Sequence, residues 1–95
     1  MESYKLSEQA ELDLIRIYQH GVRSYGLIQA DRYYDTFIER FEQIAKQPYL
    51  YQSVDYIHEG YRRSVCGVDS IFYRIVDGTV EIISILGRQD IYEII

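Results

Sequence analysis

Asp77-Gly78 separates two runs rich in β-branched and aromatic residues, 68–76 and 79–86, and this dipeptide limits the possible folds more than any other feature. A two-residue loop between strands needs left-handed backbone at its centre, which Asp and Gly tolerate and which matches the twist of paired strands. The two runs are therefore expected to form an antiparallel hairpin. Upstream, Tyr61 to Cys66 alternates and adds a third strand, giving a meander over residues 61–86. Tyr4-Lys5-Leu6 is expected to form a short first strand.

Helical signals fill the space between. Ser7 stands at an N-cap position, and Glu8 and Glu11 favour the positive end of a helix dipole. Ala10, Leu14, Ile15, Tyr18 and Val22 recur at helical spacing, so residues 8–23 read as an amphipathic helix that Tyr25-Gly26 breaks. A second helix is expected from about residue 27 to 46, with Ala30, Tyr33, Tyr34, Phe37, Phe41 and Ile44 on one face and Pro48 helping to end it. The tight connection makes the pair an antiparallel helical hairpin, about 8–46. Residues 47–60 read as a tyrosine-rich loop, long enough to invite a functional reading. The expected fold class is α+β, one domain over residues 1–95. A short N-terminal strand, the helical hairpin and a three-strand antiparallel meander build one sheet, and a tail follows at 88–95. The hairpin covers one sheet face, leaving the other exposed or covered by a partner.

Composition narrows the function classes. No apolar run approaches the roughly 20 residues a membrane helix needs, and Met-Glu-Ser-Tyr-Lys lacks a signal peptide's basic and apolar regions. A cytoplasmic setting without membrane contact is the expectation. Lone Cys66 has no intrachain disulfide partner, no Cys/His cluster points to zinc, and no metal or cofactor is expected. The net charge of -5 argues against general nucleic-acid binding, because affinity for phosphate grows with the number of cations presented. Residues 1–60 carry ten acids and six bases, whereas residues 61–95 carry five acids and four arginines with no lysine. The cations of the second half are thus all guanidinium, the group suited to planar contacts.

Those arginines are the candidate site. Arg62 and Arg63 are consecutive on a strand and point to opposite faces. Arg74 lies in the middle strand and needs a partner there. Arg88 follows the apolar run Ile82 to Leu86 and Gly87, with Asp90 two residues away as a possible mate. Beyond it, Ile91, Tyr92, Ile94 and Ile95 form either a last docked turn or a hook for a partner. His58, beside Glu59, has the right unperturbed pKa for proton transfer but no nucleophile at an interpretable spacing. His20 sits where it complements a helix dipole, and Cys66 reads as a small buried side chain.

Taken in order, several motifs resemble a known family. Leu6-Ser7 through Ala10, Leu12-Asp13-Leu14, the Tyr25-Gly26 turn, Gln29-Ala30 with Tyr33, and Pro48 resemble the helical hairpin of ParE-like toxins in the RelE/ParE superfamily. Asp55, Gly60-Tyr61-Arg62, Phe72-Tyr73-Arg74, and Ile82 through Asp90 resemble that family's sheet and exit. The resemblance implies a bacterial type II toxin that forms a hetero-oligomer with a cognate ParD-like antitoxin. ParE-like members poison DNA gyrase, and RelE-like members cut messenger RNA on the ribosome. RNA cleavage requires a proton relay and cations around the phosphate, which RelE-like proteins meet with lysines, sheet arginines and a C-terminal tyrosine or histidine. Here lysine is absent beyond Lys46, Ile95 stands where that tyrosine is sought, and Tyr92 is out of register.

The resemblance therefore favours a gyrase poison that breaks no bond itself and meets DNA only through gyrase or the antitoxin. Arg62, Arg63, Arg74, Arg88, Ile91, Tyr92, Ile94 and Ile95 are its expected contact residues. The alternative is a ribosome-dependent endoribonuclease, with Arg62, Arg63 and Arg88 around the phosphate and Tyr92 or His58 moving the proton. ParE-like last strands often exit through Leu-His, whereas this chain has Leu86-Gly87-Arg88, which leaves an inactive homologue as a third reading.

Overall fold

The computed structural model describes residues 3–87. The elements are β1 (Tyr4–Leu6), α1 (Glu8–Tyr25), α2 (Leu27–Lys46), β2 (Gln52–Ser53), β3 (Arg62–Cys66), β4 (Asp69–Val76) and β5 (Thr79–Gly87). They build one sheet in the order β1-β5-β4-β3-β2, with β1 parallel to β5 and the other neighbours antiparallel. The α+β architecture is the expected one, with one more strand. The loop expected over 47–60 contains β2, whose two residues pair with Arg62 and Arg63.

Local chemistry places each element. Ser7 Oγ accepts the Ala10 N–H at 3.0 Å, capping α1, and donates to the Ile83 carbonyl at 2.6 Å, tying the helix start to β5. Gly26, at φ +89°, is the whole connection between the helices. Its N–H bonds the Val22 carbonyl and its carbonyl accepts from Ala30 N. Helix α1 runs two residues past the expected end before this glycine turns the chain. Asp77 and Gly78 both have positive φ, as the expected tight hairpin turn requires. A register shift between Phe72 and Tyr73 leaves Ile83 without an opposite residue on β4. Such a bulge bends the strand.

The main core lies between the helical hairpin and the sheet. Leu14, Ile17, Phe37, Phe41 and Ile44 from the helices meet Ile71, Tyr73, Val80, Ile82 and Ile85 from the strands. Ile15, expected in this layer, is 53% exposed, while Asp13 and Ile17 are buried instead. Two adjacent residues of a helix are about 100° apart, so with Leu14 inward Ile15 turns outward. Tyr34 is likewise exposed, edge-on to Tyr18 at 6.0 Å between centroids.

The opposite sheet face is not simply open. Val54 and Phe72 are buried in a second small cluster, with Ile57, Tyr61 and Leu86 packed around them. The expected loop therefore folds under the sheet and covers part of the face the hairpin leaves bare. On the helix side of the sheet, the Tyr73 hydroxyl donates to the Pro48 carbonyl at 2.6 Å and fixes the start of that segment. Burial pushes the Tyr73 phenol from 10.0 up to about 12, against the opposing influence of the Arg62 guanidinium. A group whose folded pKa is raised stabilises the fold fully below its unfolded pKa and loses that contribution as pH climbs through the folded one. Urea midpoints are accordingly expected to hold up to about pH 10 and to fall toward about pH 12. A midpoint unchanged across that window would contradict the burial of this phenol.

Candidate functional site

The expected site residues separate into those the structure places and those it does not describe. Arg88, Ile91, Tyr92, Ile94 and Ile95 lie outside the described residues. Arg62, Arg63, Arg74 and His58 lie within them and do not converge.

Arg62 shares a face with Ser64 and Cys66, the helix side of β3, by strand alternation. Its Nη1 donates to the Tyr51 carbonyl at 2.7 Å, and its guanidinium lies 5.1 Å from the Tyr49 ring centroid. It clamps the segment ahead of β2. Arg63 emerges on the opposite face, where its Nε donates to Ser70 Oγ at 2.8 Å. Arg74 occupies that second face too and is paired across the hairpin with Glu81, Nε to Oε1 at 2.7 Å. Both partners are partly solvated, so the pair contributes at most about 1 kcal/mol. His58 stacks on Tyr61 at 4.1 Å between centroids, with Nδ1 3.1 Å from the Glu59 carbonyl oxygen. Cys66 is buried, and burial raises its thiol pKa, the direction that removes nucleophilic character.

A second constellation, not foreseen from the sequence, surrounds the end of β5. Strand β1 covers β5 only from Val80 to Ile82. Beyond it, side chains of α1 stand in for the missing strand. Asp13 Oδ2 accepts the Ile85 N–H at 2.9 Å, and Arg16 Nη2 donates to the Ile85 carbonyl at 3.2 Å. Asp13 also accepts from Gln9 Nε2 at 2.9 Å and lies 3.7 Å from the Arg16 guanidinium. The sequence signal was present: an acid among Ala10, Leu14 and Ile17 on an apolar helix face demands a partner. Helix α2 does the same for β3, whose Val65 carbonyl accepts from Arg40 Nη1 at 2.6 Å, with Ser64 Oγ at 2.9 Å from the same nitrogen.

Beside this strand end lies a cleft of about 430 Å³ between the later part of α1, the start of α2 and the turn from β3 to β4. Gly21 and Ala30 form its narrow side, where a Cβ added at Gly21 would sit 3.4 Å from the Ala30 methyl. Tyr33 crosses it to the sheet, its hydroxyl donating to Asp69 Oδ2 at 2.8 Å and accepting from Val68 N at 3.3 Å. Burial first, and this carboxylate second, raise the Tyr33 phenol well above the usual tyrosine range. Tyr25 and Val68 flank the cleft, 73% and 80% exposed. His20, read from sequence as a dipole partner, lies on the rim. No group of His, Cys, Asp and Glu among the described residues is arranged to hold a metal ion, and no helix there is long and apolar enough to cross a membrane.

Comparison with known proteins gives a consistent result. Residues 4–92 match the family described as ParE toxin of type II toxin-antitoxin system, parDE. The chain is 36% identical over 89 residues to Toxin ParE1 of Caulobacter vibrioides, covering 94% of this chain and 92% of that one. It is 29% identical over 87 residues to Toxin ParE1 of Mycobacterium tuberculosis, covering 90% and 89%. Among solved structures it resembles the chromosomal ParDE TA system from P. aeruginosa, with a TM-score of 0.74 and 25% identity over 92% of this chain and 96% of that one.

Proposed function

The chain belongs to the ParE toxin family of type II toxin–antitoxin systems, and from that membership we propose that it arrests growth by binding DNA gyrase and is neutralised by a cognate ParD-like antitoxin. The observation that most supports contact over bond-breaking chemistry is the divergence of Arg62 and Arg63. One faces the helices and is tied to a backbone carbonyl; the other faces away and is tied to Ser70. Stabilising a phosphoryl transition state needs cations preorganised around one point. The described arginines are distributed instead. Arg16, Arg40 and Arg62 hold backbone carbonyls, and Arg74 is neutralised by Glu81. Arg88, the candidate arginine that follows β5 in sequence, is the one assigned to target contact, together with the apolar residues Ile91, Tyr92, Ile94 and Ile95.

Purified protein added to gyrase, relaxed plasmid and ATP is the direct test. Loss of supercoiling with cleaved DNA trapped on the enzyme is expected, and Arg88→Ala is expected to weaken it at least tenfold with an unchanged circular dichroism spectrum. Undiminished supercoiling with folded protein would sink the proposal. Codon-phased cleavage of messages after induction would assign the RelE-like activity instead, and harmless expression without antitoxin would assign an inactive homologue.

A further inference from the structure

We infer that the outward face of α1 is a self-association surface, on which a second copy of this chain docks as a parallel, two-fold helix pair. The first support is the spacing of exposed apolar residues. A helix on a protein surface needs one apolar stripe, turned to the core, and α1 has it in Ala10, Leu14 and Ile17. It carries a second stripe on its solvent side. Leu12 and Ile15 are 60% and 53% exposed, Gln19 is exposed and Val22 partly so. These four follow one another at steps of three, four and three residues, the alternation of a coiled-coil seam. They cover about 15 Å at the helical rise, and Glu8, one turn earlier on the same face, ends the apolar stretch. A single polar residue within such a seam, here Gln19, fixes the register in which two helices meet.

The second support is charge, and it selects the occupant. In a parallel seam the flanking residues of one helix meet those lying five positions later on its mate. Glu11 therefore faces Arg16 of the second copy, and the two-fold axis repeats this pair on the other side of the seam. The next such pair sets Tyr18 against Arg23 of the second copy. Asp31 Oδ1 accepts from the Tyr18 hydroxyl at 2.6 Å, so that arginine meets a carboxylate as well as a ring. Arg16 keeps 52% of its side chain exposed while it holds the Ile85 carbonyl, and Glu11 and Arg23 are exposed. In an antiparallel pair the arginine-bearing flanks would face each other, so the charges choose the parallel sense. Helix α1 meets the sheet and α2 through its other sides, which leaves this face clear. A seam of three turns lies at the small end of specific interfaces, so the dimer is expected to depend on concentration. The inference concerns the toxin's own surface and does not depend on its target.

Sedimentation velocity of the purified chain, over a micromolar-to-millimolar series, tests it. A monomer–dimer equilibrium is expected. Ile15→Asp, at a position with more than half its surface in water, is expected to raise the dissociation constant about tenfold or more with an unchanged circular dichroism spectrum. Glu11→Arg and Arg16→Glu are each expected to stay monomeric alone and to pair when mixed, because only the mixed dimer restores both ion pairs. Should Arg16→Glu fold poorly, Gln19→Cys replaces it. That thiol lies opposite its own copy in the parallel seam, and mild oxidation is expected to cross-link two chains through it while Cys66 stays buried. A parent that remains monomeric throughout overturns the inference, and so does a dimer that Ile15→Asp leaves intact. Mixing that restores nothing, or the absence of a cross-link through Gln19→Cys, refutes the parallel seam. A monomeric parent whose antitoxin binding is weakened by Ile15→Asp would give this face to the antitoxin instead.

Discussion

Asp13→Ala is expected to destabilise the fold by about 3 kcal/mol. The carboxylate is 4% exposed and accepts the N–H of Ile85, a residue with no exposed surface at all. Removing it forfeits a charge-assisted hydrogen bond and strands a buried donor, each about 1–3 kcal/mol and partly the same energy counted twice. Against a typical total of about 5–15 kcal/mol the loss is large. Asp13→Asn keeps one carbonyl oxygen for Ile85 and is expected to cost about 1 kcal/mol. Urea unfolding with linear extrapolation measures both, and amide exchange should show Ile85 losing protection in the alanine variant first. A cost below about 1 kcal/mol for alanine would mean that Arg16 and Ser7 suffice to hold the strand end.

Gly67→Ala is expected to cost about 3 kcal/mol, for two separable reasons. Gly67 sits at φ +61°, where an L side chain meets its own backbone at about 1–2 kcal/mol. The added methyl would also lie 2.5 Å from the Tyr33 hydroxyl and 2.7 Å from the ring. Tyr33 must then shift, weakening its bond to Asp69 and its edge-on packing against Phe37 at 4.9 Å. The remaining positive-φ glycines, 26, 60 and 78, have nothing near an added Cβ and should show the backbone cost alone. A double-mutant cycle isolates the contact. In a Tyr33→Ala background the Gly67→Ala cost should fall to about 1–2 kcal/mol. Equal costs in the two backgrounds would show that the clash is relieved some other way.

The parts of the fold legible in the sequence were those fixed by local chemistry. Asp77-Gly78 sets the hairpin because few dipeptides accept two left-handed residues, and Ser7 and Gly26 bound α1 because each answers a specific backbone need. Divergence of Arg62 and Arg63 followed from strand alternation alone. What did not show was any interaction between elements distant in the chain. Ile15 was placed inward because hydrophobic spacing cannot tell which of two neighbouring apolar residues a helix will bury; Asp13, turned inward by the strand end it serves, settles that. The cluster around Val54 was hidden because Ile57 and Tyr61 are interrupted by Asp55, His58 and Glu59, which face solvent as the segment folds under the sheet. Acceptors such as the Tyr51 and Val65 carbonyls have no sequence signature, so the tethering of Arg62 and Arg40 needed the structure.

The guanidinium groups of Arg16 and Arg40 have a consequence for the molecule in a crowded solution. Strands β1 and β2 are only three and two residues long, so most of β5 and β3 would otherwise present bare ladders of donors and acceptors. An unguarded ladder is a template on which another chain can lay its own strand, and β5, with its run of isoleucines, is the sort of segment that stacks into fibrils. Arg16 and Arg40 occupy the carbonyls such a growing stack would use. Their loss would leave the buried core in place yet bare a carbonyl on each flank to accretion, so protection against aggregation in this chain draws on partly exposed side chains as well as on its core.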